Sequence, residues 1–410
     1  MTSSERPDPE LGEIEWLDVD PPDRADRAAG PRPPGPPGLS SRRWYLLVFV
    51  ALIAVVLVLT VGRRTSHKAA PSPTPTPTPT PSTAPSSATP STSPTTGPKP
   101  STRPVTVTNV GHPLLDVPAD VELFARSADS VLRLQLAAGR ITRTTGVGVS
   151  SGGPVFFVVG PREAIVKPLD AVPGFLIRDG QPVRPLPGLL VHGGQAFPGP
   201  RPGQLWVTDE NQESGKMVLV DFAGRRVGVT ISADGGPTSD GAGYLLSYLA
   251  GGVYDARPGS LHRITSGALL AVGRTRWLTE ECDDRHRCTL DVIDRSTGRH
   301  RVLGPTSDRN DPPGVISPDG TTAALLRSDA ENPTAILHLF DLEAGVDHPT
   351  RIVMSRDDSY GGAPAVWTPD SRWLLVVDAS GRIVAIDRSG HTRELTDGDP
   401  QVAQIALRDG

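Results

Sequence analysis

Beyond residue 104 the chain alternates short apolar runs with turns rich in Gly, Pro, Asp and Asn. No helical period accompanies these runs, and their lengths and spacing are typical of β-strands. One motif recurs through this region: a strand, a turn that contains glycine, and a second strand. Its turn glycines are Gly139, Gly180, Gly224, Gly259, Gly298, Gly345 and Gly390. Their mean spacing of about 42 residues predicts a repeated unit of four strands.

A repeat of this length predicts an all-β fold, a seven-bladed β-propeller over residues 105–410, with six or eight blades as alternatives. Each glycine hairpin would form the outer two strands of one blade. The segment 401–408 has the pattern of a first strand after the seventh hairpin, whereas residues 121–128 look like a second strand that lacks a first. We therefore expect 401–408 to close the ring beside 121–128, which removes an exposed sheet edge.

Two of the repeats carry the same turn motif. ISPDGTTAALL at 316–326 and WTPDSRWLLVV at 367–377 align in their S/T-P-D letters. The proline presets φ for a tight turn, and aspartate favours the position that follows. Here the chain resembles the TolB-like and WD-repeat-like propellers, whose blades carry an SPDG-type turn between their first two strands. The resemblance implies the fold and says little about a partner.

An uncharged apolar run of 18 residues at 44–61 predicts a transmembrane helix over 44–62. As a helix it would span about 27 Å, close to the thickness of the hydrocarbon layer. Basic residues flank both ends of the run, so the positive-inside rule barely orients it. The segment that follows favours an N-terminus in the cytoplasm. We expect a single-pass protein of the plasma membrane with its propeller outside.

Two segments around this helix lack the composition of a core. Residues 1–43 are acidic and Pro-rich, and we expect a disordered cytoplasmic tail. Residues 63–104 form a Pro/Thr/Ser-rich linker, and its part 71–104 would extend as polyproline II over about 100 Å. The whole chain contains far more arginine than lysine, and this linker resembles those of envelope proteins of high-GC Gram-positive bacteria. A candidate docking motif for a cytoplasmic partner interrupts the tail, the alternative being a plain acidic segment. The motif consists of Leu11, Ile14, Trp16 and Leu17.

The only two cysteines, Cys282 and Cys288, flank the tip of one predicted hairpin. In the oxidising compartment expected for the propeller they should form a disulfide. Closing so short a loop would contribute about 2 kcal/mol of stability. The alternative is a metal site, although the spacing fits no standard zinc pattern. Its ligands would be Cys282, Asp283, Asp284, His286 and Cys288.

Catalytic patterns are weak in this sequence. GVSSG at 148–152 places Ser150 in a G-x-S-x-G motif, but a strand rather than a helix follows it, which favours an ordinary turn. SYGG at 359–362 resembles the nucleophile motif of prolyl oligopeptidases at Ser359, but the glycine expected two residues earlier is Asp357. The acidic loops 308–311, 356–358 and 397–399 would have to converge for a propeller enzyme.

Tryptophans on corresponding second strands favour packing between blades. These are Trp206, Trp277 and Trp373.

A net charge of −5 gives no basic footprint, so nucleic acid is not expected as a partner. We expect no cofactor, no metal and no catalytic residue. The function predicted from the sequence is a non-enzymatic scaffold or sensor at the cell envelope that binds a protein or a cell-wall glycan. The alternatives are a propeller hydrolase or lyase with a carboxylate cluster at the channel, and an accessory subunit of an envelope or secretion complex.

Overall fold

The computed structural model describes part of the chain. The described residues are 105–148, 154–170, 172–192, 194–209, 215–285, 287–306, 314–327, 334–355, 365–397 and 400–408. They form twenty-nine β-strands and one short 3-10 turn at Gly188–Leu190. The predicted tail, transmembrane helix and linker fall outside these residues. Across the described ranges, no helix has the length and apolar character needed to span a bilayer.

The strands form seven antiparallel units, numbered here in chain order; six have four strands, and unit 1 has five. Unit 1 contains Val105–Asn109 (β1), Glu122–Ser127 (β2), Ser130–Gln135 (β3) and Arg140–Thr145 (β4). Unit 2 contains Val155–Val159 (β5), Glu163–Pro168 (β6), Phe175–Arg178 (β7) and Arg184–Pro185 (β8). Unit 3 contains Ala196–Pro198 (β9), Gln204–Thr208 (β10), Lys216–Asp221 (β11) and Arg226–Ser232 (β12). Unit 4 contains Thr238–Ser239 (β13), Leu245–Leu249 (β14), Gly252–Arg257 (β15) and Ser260–Thr265 (β16).

The later units follow the same plan. Unit 5 contains Ala268–Val272 (β17), Arg276–Cys282 (β18), Cys288–Asp294 (β19) and His300–Thr306 (β20). Unit 6 contains Gly314–Ile316 (β21), Thr322–Arg327 (β22), Thr334–Asp341 (β23) and Val346–Ser355 (β24). Unit 7 contains Ala365–Trp367 (β25), Trp373–Val377 (β26), Ile383–Asp387 (β27) and Thr392–Glu394 (β28). The final strand is Val402–Arg408 (β29).

Strand order within the sheets is that of consecutive meanders, with two exceptions. Units 5 and 6 share one eight-stranded sheet because their first strands, β17 and β21, pair in parallel. Unit 1 has five strands in the order β1-β4-β3-β2-β29. Strand β29 pairs antiparallel with β2, from Arg408 opposite Glu122 to Val402 opposite Ser127. The first strand of unit 1 therefore comes from the far end of the described chain.

The units follow one another in a propeller-like arrangement. First strands of successive units lie side by side, as β29 does with β5, β5 with β9, and β25 with β29. The apolar core is divided into six clusters, each of which joins neighbouring units. One cluster joins unit 7 to unit 1, and another joins unit 1 to unit 2. The packing surface is thus the face of each sheet against the next sheet.

Burial falls from the inner to the outer strands, which explains the sequence pattern. The second strands β2, β6 and β26 are buried along most of their length, and β26 (WLLVV) accordingly reads as a continuous apolar run. Outer strands such as β1 and β28 are exposed along their length. An all-β fold is confirmed for the described residues.

The predicted turns are confirmed. All seven repeat glycines lie between the third and fourth strands of their units, and all have positive φ, from 63° at Gly139 to 82° at Gly390. The S/T-P-D turns lie between the first and second strands of units 6 and 7. Gly320 has φ of 75° there, and Ser371 takes the same left-handed conformation at 59°. Ser371 is the only non-glycine residue with positive φ among the described residues.

Candidate functional site

The junction between units 1 and 2 has a cluster of charged side chains. Because side chains alternate along a strand, Glu122, Phe124 and Arg126 of β2 share one face. Antiparallel pairing places residues of β29 and β3 beside them on that face: Arg408, Ala406, Gln404, Gln135, Arg133 and Val131. We call the charged and amide groups here the closing junction. Its members are Glu122, Arg126, Arg133, Asp179, Gln404 and Arg408.

Arg408 ties the last described strand to unit 2. Its side chain is 7% exposed, and its Nη1 donates to Glu122 Oε2 at 3.0 Å and to Asp179 Oδ2 at 2.7 Å. Its Nε donates to the carbonyl oxygen of Gly160 at 3.1 Å. Glu122 belongs to unit 1, whereas Asp179 and Gly160 lie in turns of unit 2. One buried guanidinium therefore joins three chain segments.

Arg133 holds the same two carboxylates from the neighbouring strand. Its Nε and Nη2 donate to the two oxygens of Glu122 at 2.9 and 2.6 Å, and Nη1 lies 3.2 Å from Asp179 Oδ1. Burial would raise the pKa of Glu122, but hydrogen bonds from Arg133 and Gln135 outweigh it and lower that pKa. The Phe124 ring lies beneath both cations, 4.5 Å from Arg408 and 6.0 Å from Arg133.

Arg126 differs from its neighbours because its partner is neutral. Its Nε donates to Gln404 Oε1 at 2.5 Å, and Gln404 Nε2 donates to the carbonyl oxygen of Val155 at 2.7 Å. Gln404 is fully buried and Arg126 is half-buried. Burial lowers the pKa of Arg126 to about 10, so the side chain remains a cation at neutral pH.

Other junctions use arginine in a recurrent way. In units 5 and 7 the third-to-fourth turn begins Asp-Arg-Ser, as Asp294-Arg295-Ser296 and Asp387-Arg388-Ser389. Arg295 donates to the carboxylate of Asp240 in unit 4 and to the Asp240 carbonyl oxygen at 2.6 Å. Arg388 donates to the carboxylate of Asp319 in unit 6. In both cases an arginine of one unit binds an aspartate in the first-to-second turn of the preceding unit.

One buried carboxylate, Asp240, and one exposed carboxylate, Asp319, are engaged in these pairs. Asp240 is fully buried and also accepts hydrogen bonds from the backbone N–H groups of Ala242 and Tyr244, at 2.7 and 2.8 Å. Burial opposes ionisation of Asp319, but donors on Arg388, Ser317 and Thr321 outweigh it and lower the pKa of Asp319 to about 2. These aspartates therefore act as anchors between units.

The two cysteines form the predicted disulfide. Cys282 and Cys288 stand opposite one another at the end of the β18–β19 ladder and are bonded. Glu280 Oε and the two sulfurs form the only group of three candidate metal-ligand atoms found within the described residues. Sulfurs joined in a disulfide are not thiolates, the form that binds metal. Asp283 of the alternative metal set instead forms an exposed ion pair with Arg287 at 2.5 Å.

The three tryptophans lie on second strands, as predicted, and pack between units. Trp206 is 1% exposed, and its Nε1 donates to the carbonyl oxygen of Gly243 in unit 4 at 2.9 Å. Trp277 is buried in the cluster between units 4 and 5. Trp373 is half-buried against the cluster that joins units 7 and 1. Packing between units is therefore confirmed for all three.

Several sequence predictions cannot be placed because they fall outside the described residues. They are the docking motif Leu11, Ile14, Trp16 and Leu17, the serines Ser150 and Ser359, and the acidic loops 308–311 and 356–358. Of the loop 397–399, only Asp397 is described. Convergence of the acidic loops therefore stays an untested hypothesis.

Sequence reasoning missed two features. One is a cavity of about 340 Å³ between units 3 and 4, lined by Gln195, Thr208, Met217 and Asp234 among others. The other is the set of arginine contacts between units. A signal for the second was present, since the Asp-Arg-Ser triplet occurs in two of the seven hairpin turns. The predicted pairing of 401–408 with 121–128 is confirmed, but no signal marked the charged contacts of the closing junction.

Comparison with known proteins gives distant likenesses. No family model matches the chain, and no curated protein matches it. A puromycin-hydrolyzing peptidase of Mycobacterium tuberculosis is 12% identical, over 70% of this chain and 53% of that one, with a TM-score of 0.45. An oligogalacturonate lyase in complex with manganese is 14% identical, over 67% and 93%, with a TM-score of 0.43. TolB from Acinetobacter baumannii is 12% identical, over 70% and 66%, with a TM-score of 0.38. No activity is carried over from any of them.

Proposed function

We propose that this chain is a membrane-anchored, extracytoplasmic seven-bladed β-propeller, a non-enzymatic scaffold or sensor that binds a protein or glycan at the cell envelope. The seven units and the pairing of β29 with β2 support the blade count. The uncharged run at 44–61 and the Pro-rich segment after it support the anchor and tether.

The observation that supports the proposal most is the set of arginine contacts between neighbouring units. Arg408, Arg295 and Arg388 each bind a carboxylate or carbonyl group of a neighbouring unit. Such contacts fix one sheet against the next, so the loops at both ends of the units are carried on a rigid frame. A rigid frame that presents many loops is suited to recognition. The Cys282–Cys288 disulfide supports a location outside the cytoplasm, since such bonds persist in oxidising compartments.

Site-specific photocrosslinking in intact cells tests the binding role. Ser380 and Ser389 are exposed and lie in turns at opposite ends of strand β27. A photoreactive amino acid at each position gives a matched pair on one unit, and Asp284 with Thr297 gives a second pair on unit 5. We expect a discrete adduct from one end of the units only. Equal background from all four positions would contradict a scaffold with a defined binding face.

Location is tested separately. A reporter enzyme that is active only outside the cytoplasm, fused after residue 100, should be active, and the same reporter fused after residue 40 should not. The opposite result would overturn the proposed orientation without bearing on the binding role.

A further inference from the structure

The closing junction carries one more positive charge than negative. It contains the arginines Arg126, Arg133 and Arg408 and the carboxylates of Glu122 and Asp179. Both carboxylates are shared between Arg133 and Arg408. Arg126 is left with the neutral amide of Gln404.

The carboxylate nearest to Arg126 in sequence is engaged elsewhere. Asp129, three residues along from Arg126, lies 3.8 Å from Arg143. Arg126 therefore differs from Arg295 and Arg388, each of which reaches an aspartate of the adjoining unit. Among the described residues Arg126 has no anionic partner, so this half-buried cation has lost part of its hydration and gains only the hydrogen bond to Gln404 in return.

One edge of the Arg126 guanidinium is hydrogen-bonded within the protein, and the other edge is open to a ligand. Its Nε edge is occupied by Gln404, which is in turn fixed by Val155. Within the described residues, neither Nη1 nor Nη2 of Arg126 donates a hydrogen bond to a protein acceptor. A guanidinium presents two parallel N–H groups along this end, the geometry that matches the two oxygens of a carboxylate. The side chain is only half-buried, so the available edge is not sealed from solvent.

We propose that Arg126 is the anchor of a binding site for a ligand carboxylate, held end-on by Nη1 and Nη2 in the closing junction. Gln404 positions the guanidinium, and the ligand supplies the negative charge that the junction lacks. Carboxylates occur on acidic sugars and at peptide C-termini, and the geometry at Arg126 is the same for both. The site does not depend on the envelope location proposed above.

Calorimetric titration of the full chain with paired probes tests this proposal. The probes are D-glucuronate against uncharged D-glucose, and N-acetylalanine against N-acetylalanine amide. We expect millimolar binding of at least one acid and no binding of its uncharged counterpart. Whether the sugar acid, the peptide acid or both bind identifies the source of the carboxylate.

Variants separate Arg126 from general anion effects. Arg126→Lys keeps the charge but loses the two parallel N–H donors of the guanidinium, and we expect roughly tenfold weaker binding of the acid. Arg126→Gln should abolish binding. Arg372→Gln is the matched control, because Arg372 is an exposed arginine in unit 7, paired with Asp116 at 3.1 Å, and its loss should leave binding unchanged.

The variant Arg126→Gln is expected to fold as the parent does. Arg126→Gln removes a charge that has no anionic partner among the described residues, so we expect its melting temperature to equal or exceed that of the parent. Acid binding by Arg126→Gln at parental strength would overturn the proposal, and so would a parent protein that binds neither acid at tens of millimolar. Loss of binding in Arg372→Gln as well would assign the effect to overall charge and would also overturn it.

Discussion

Two regions join units of the same architecture by different means. Around Trp206, units 2, 3 and 4 share one large apolar cluster whose members are almost all aliphatic or aromatic. At the closing junction, by contrast, two carboxylates and two arginines bind one another between units 1 and 2. Apolar contacts are tolerant of direction, whereas paired ions are not. The comparison suggests that directional contacts lie where the register of a strand must be fixed by partners distant in sequence.

At the closing junction the positions of arginine and aspartate are also exchanged relative to the other arginine junctions. In units 4 and 6, an aspartate of the first-to-second turn accepts from an arginine of the following unit. At the closing junction Arg408 ends the first strand, and the third-to-fourth turn of unit 2 supplies Asp179. A slip of β29 by one residue would turn Arg408 to the opposite face of the sheet. Its pairs with Glu122 and Asp179 therefore favour the observed register.

The largest effect is expected from removing the closing strand. Deletion of residues 401–410 exposes the inner edge of β2 and removes every pairing partner on that side. Unit 1 should then lose its cooperative unfolding, and the thermal transition should broaden and fall by ten degrees or more, roughly. Circular dichroism melts of the full and shortened chains make the measurement. An unchanged melting temperature would count against the closing role of β29.

Next in size is the apolar side of the comparison. Trp206→Ala should lower the free energy of unfolding by about 3–5 kcal/mol, since it leaves a cavity and removes the hydrogen bond to Gly243. Trp206→Phe keeps most of the volume and should cost clearly less. Urea unfolding of both variants gives the two values, and equal losses would show that the hydrogen bond, not the volume, dominates.

The polar side is tested by Arg408→Met. We expect a loss of about 3 kcal/mol, because two carboxylates are left with a single cation in a partly buried site. Adding Asp179→Asn to this variant should restore part of the loss, as one uncompensated charge is then gone. A double-mutant cycle from urea unfolding measures the coupling, and additivity of the two changes would contradict a shared ion network.

The disulfide is expected to matter less than either junction. Cys282→Ala with Cys288→Ala opens a short loop at a hairpin tip and should cost about 2 kcal/mol by the chain-entropy argument. The pairs between units are untouched, so the melting transition should stay cooperative. Two free thiols found by mass spectrometry on the native protein would refute the pairing.

The smallest effect is a pH dependence at the junction of units 6 and 7. The pKa of Asp319 is about 2 in the folded protein, below its ordinary value near 4. Its contribution to stability is therefore present in full above pH 4 and is lost as the pH falls towards 2. Asp319→Asn should reduce the acid sensitivity of the melting temperature in this range. A parallel pH profile for variant and parent would show that the Arg388 pair does not stabilise the fold.

Much of this architecture could be predicted from the sequence. The glycine at each hairpin turn is required by a left-handed backbone, and this local requirement made the repeat visible through Gly139 to Gly390. Continuous apolar runs such as VFFVV marked strands buried on both faces. Pairing of Cys282 with Cys288 followed from proximity in sequence and from the expected compartment.

The candidate site could not be predicted in the same way. Arg126 and Gln404 are neighbours only because β29 pairs with β2, and neither residue type nor spacing distinguishes them from surface residues. The direction of a guanidinium depends on its hydrogen-bond partners in three dimensions. Sequence periodicity identifies which residues share a face and does not identify which charges remain unmatched on it.

The origin of the inner strand of unit 1 affects how the protein is made. Strand β2 emerges from the ribosome early, but 286 residues separate Glu122 from its partner Arg408. Throughout synthesis one edge of the first sheet has open backbone donors and acceptors. The chain must therefore shield that edge, by a chaperone or by delayed folding, until β29 is available. Mutations that speed folding of unit 1 alone should promote aggregation rather than improve yield.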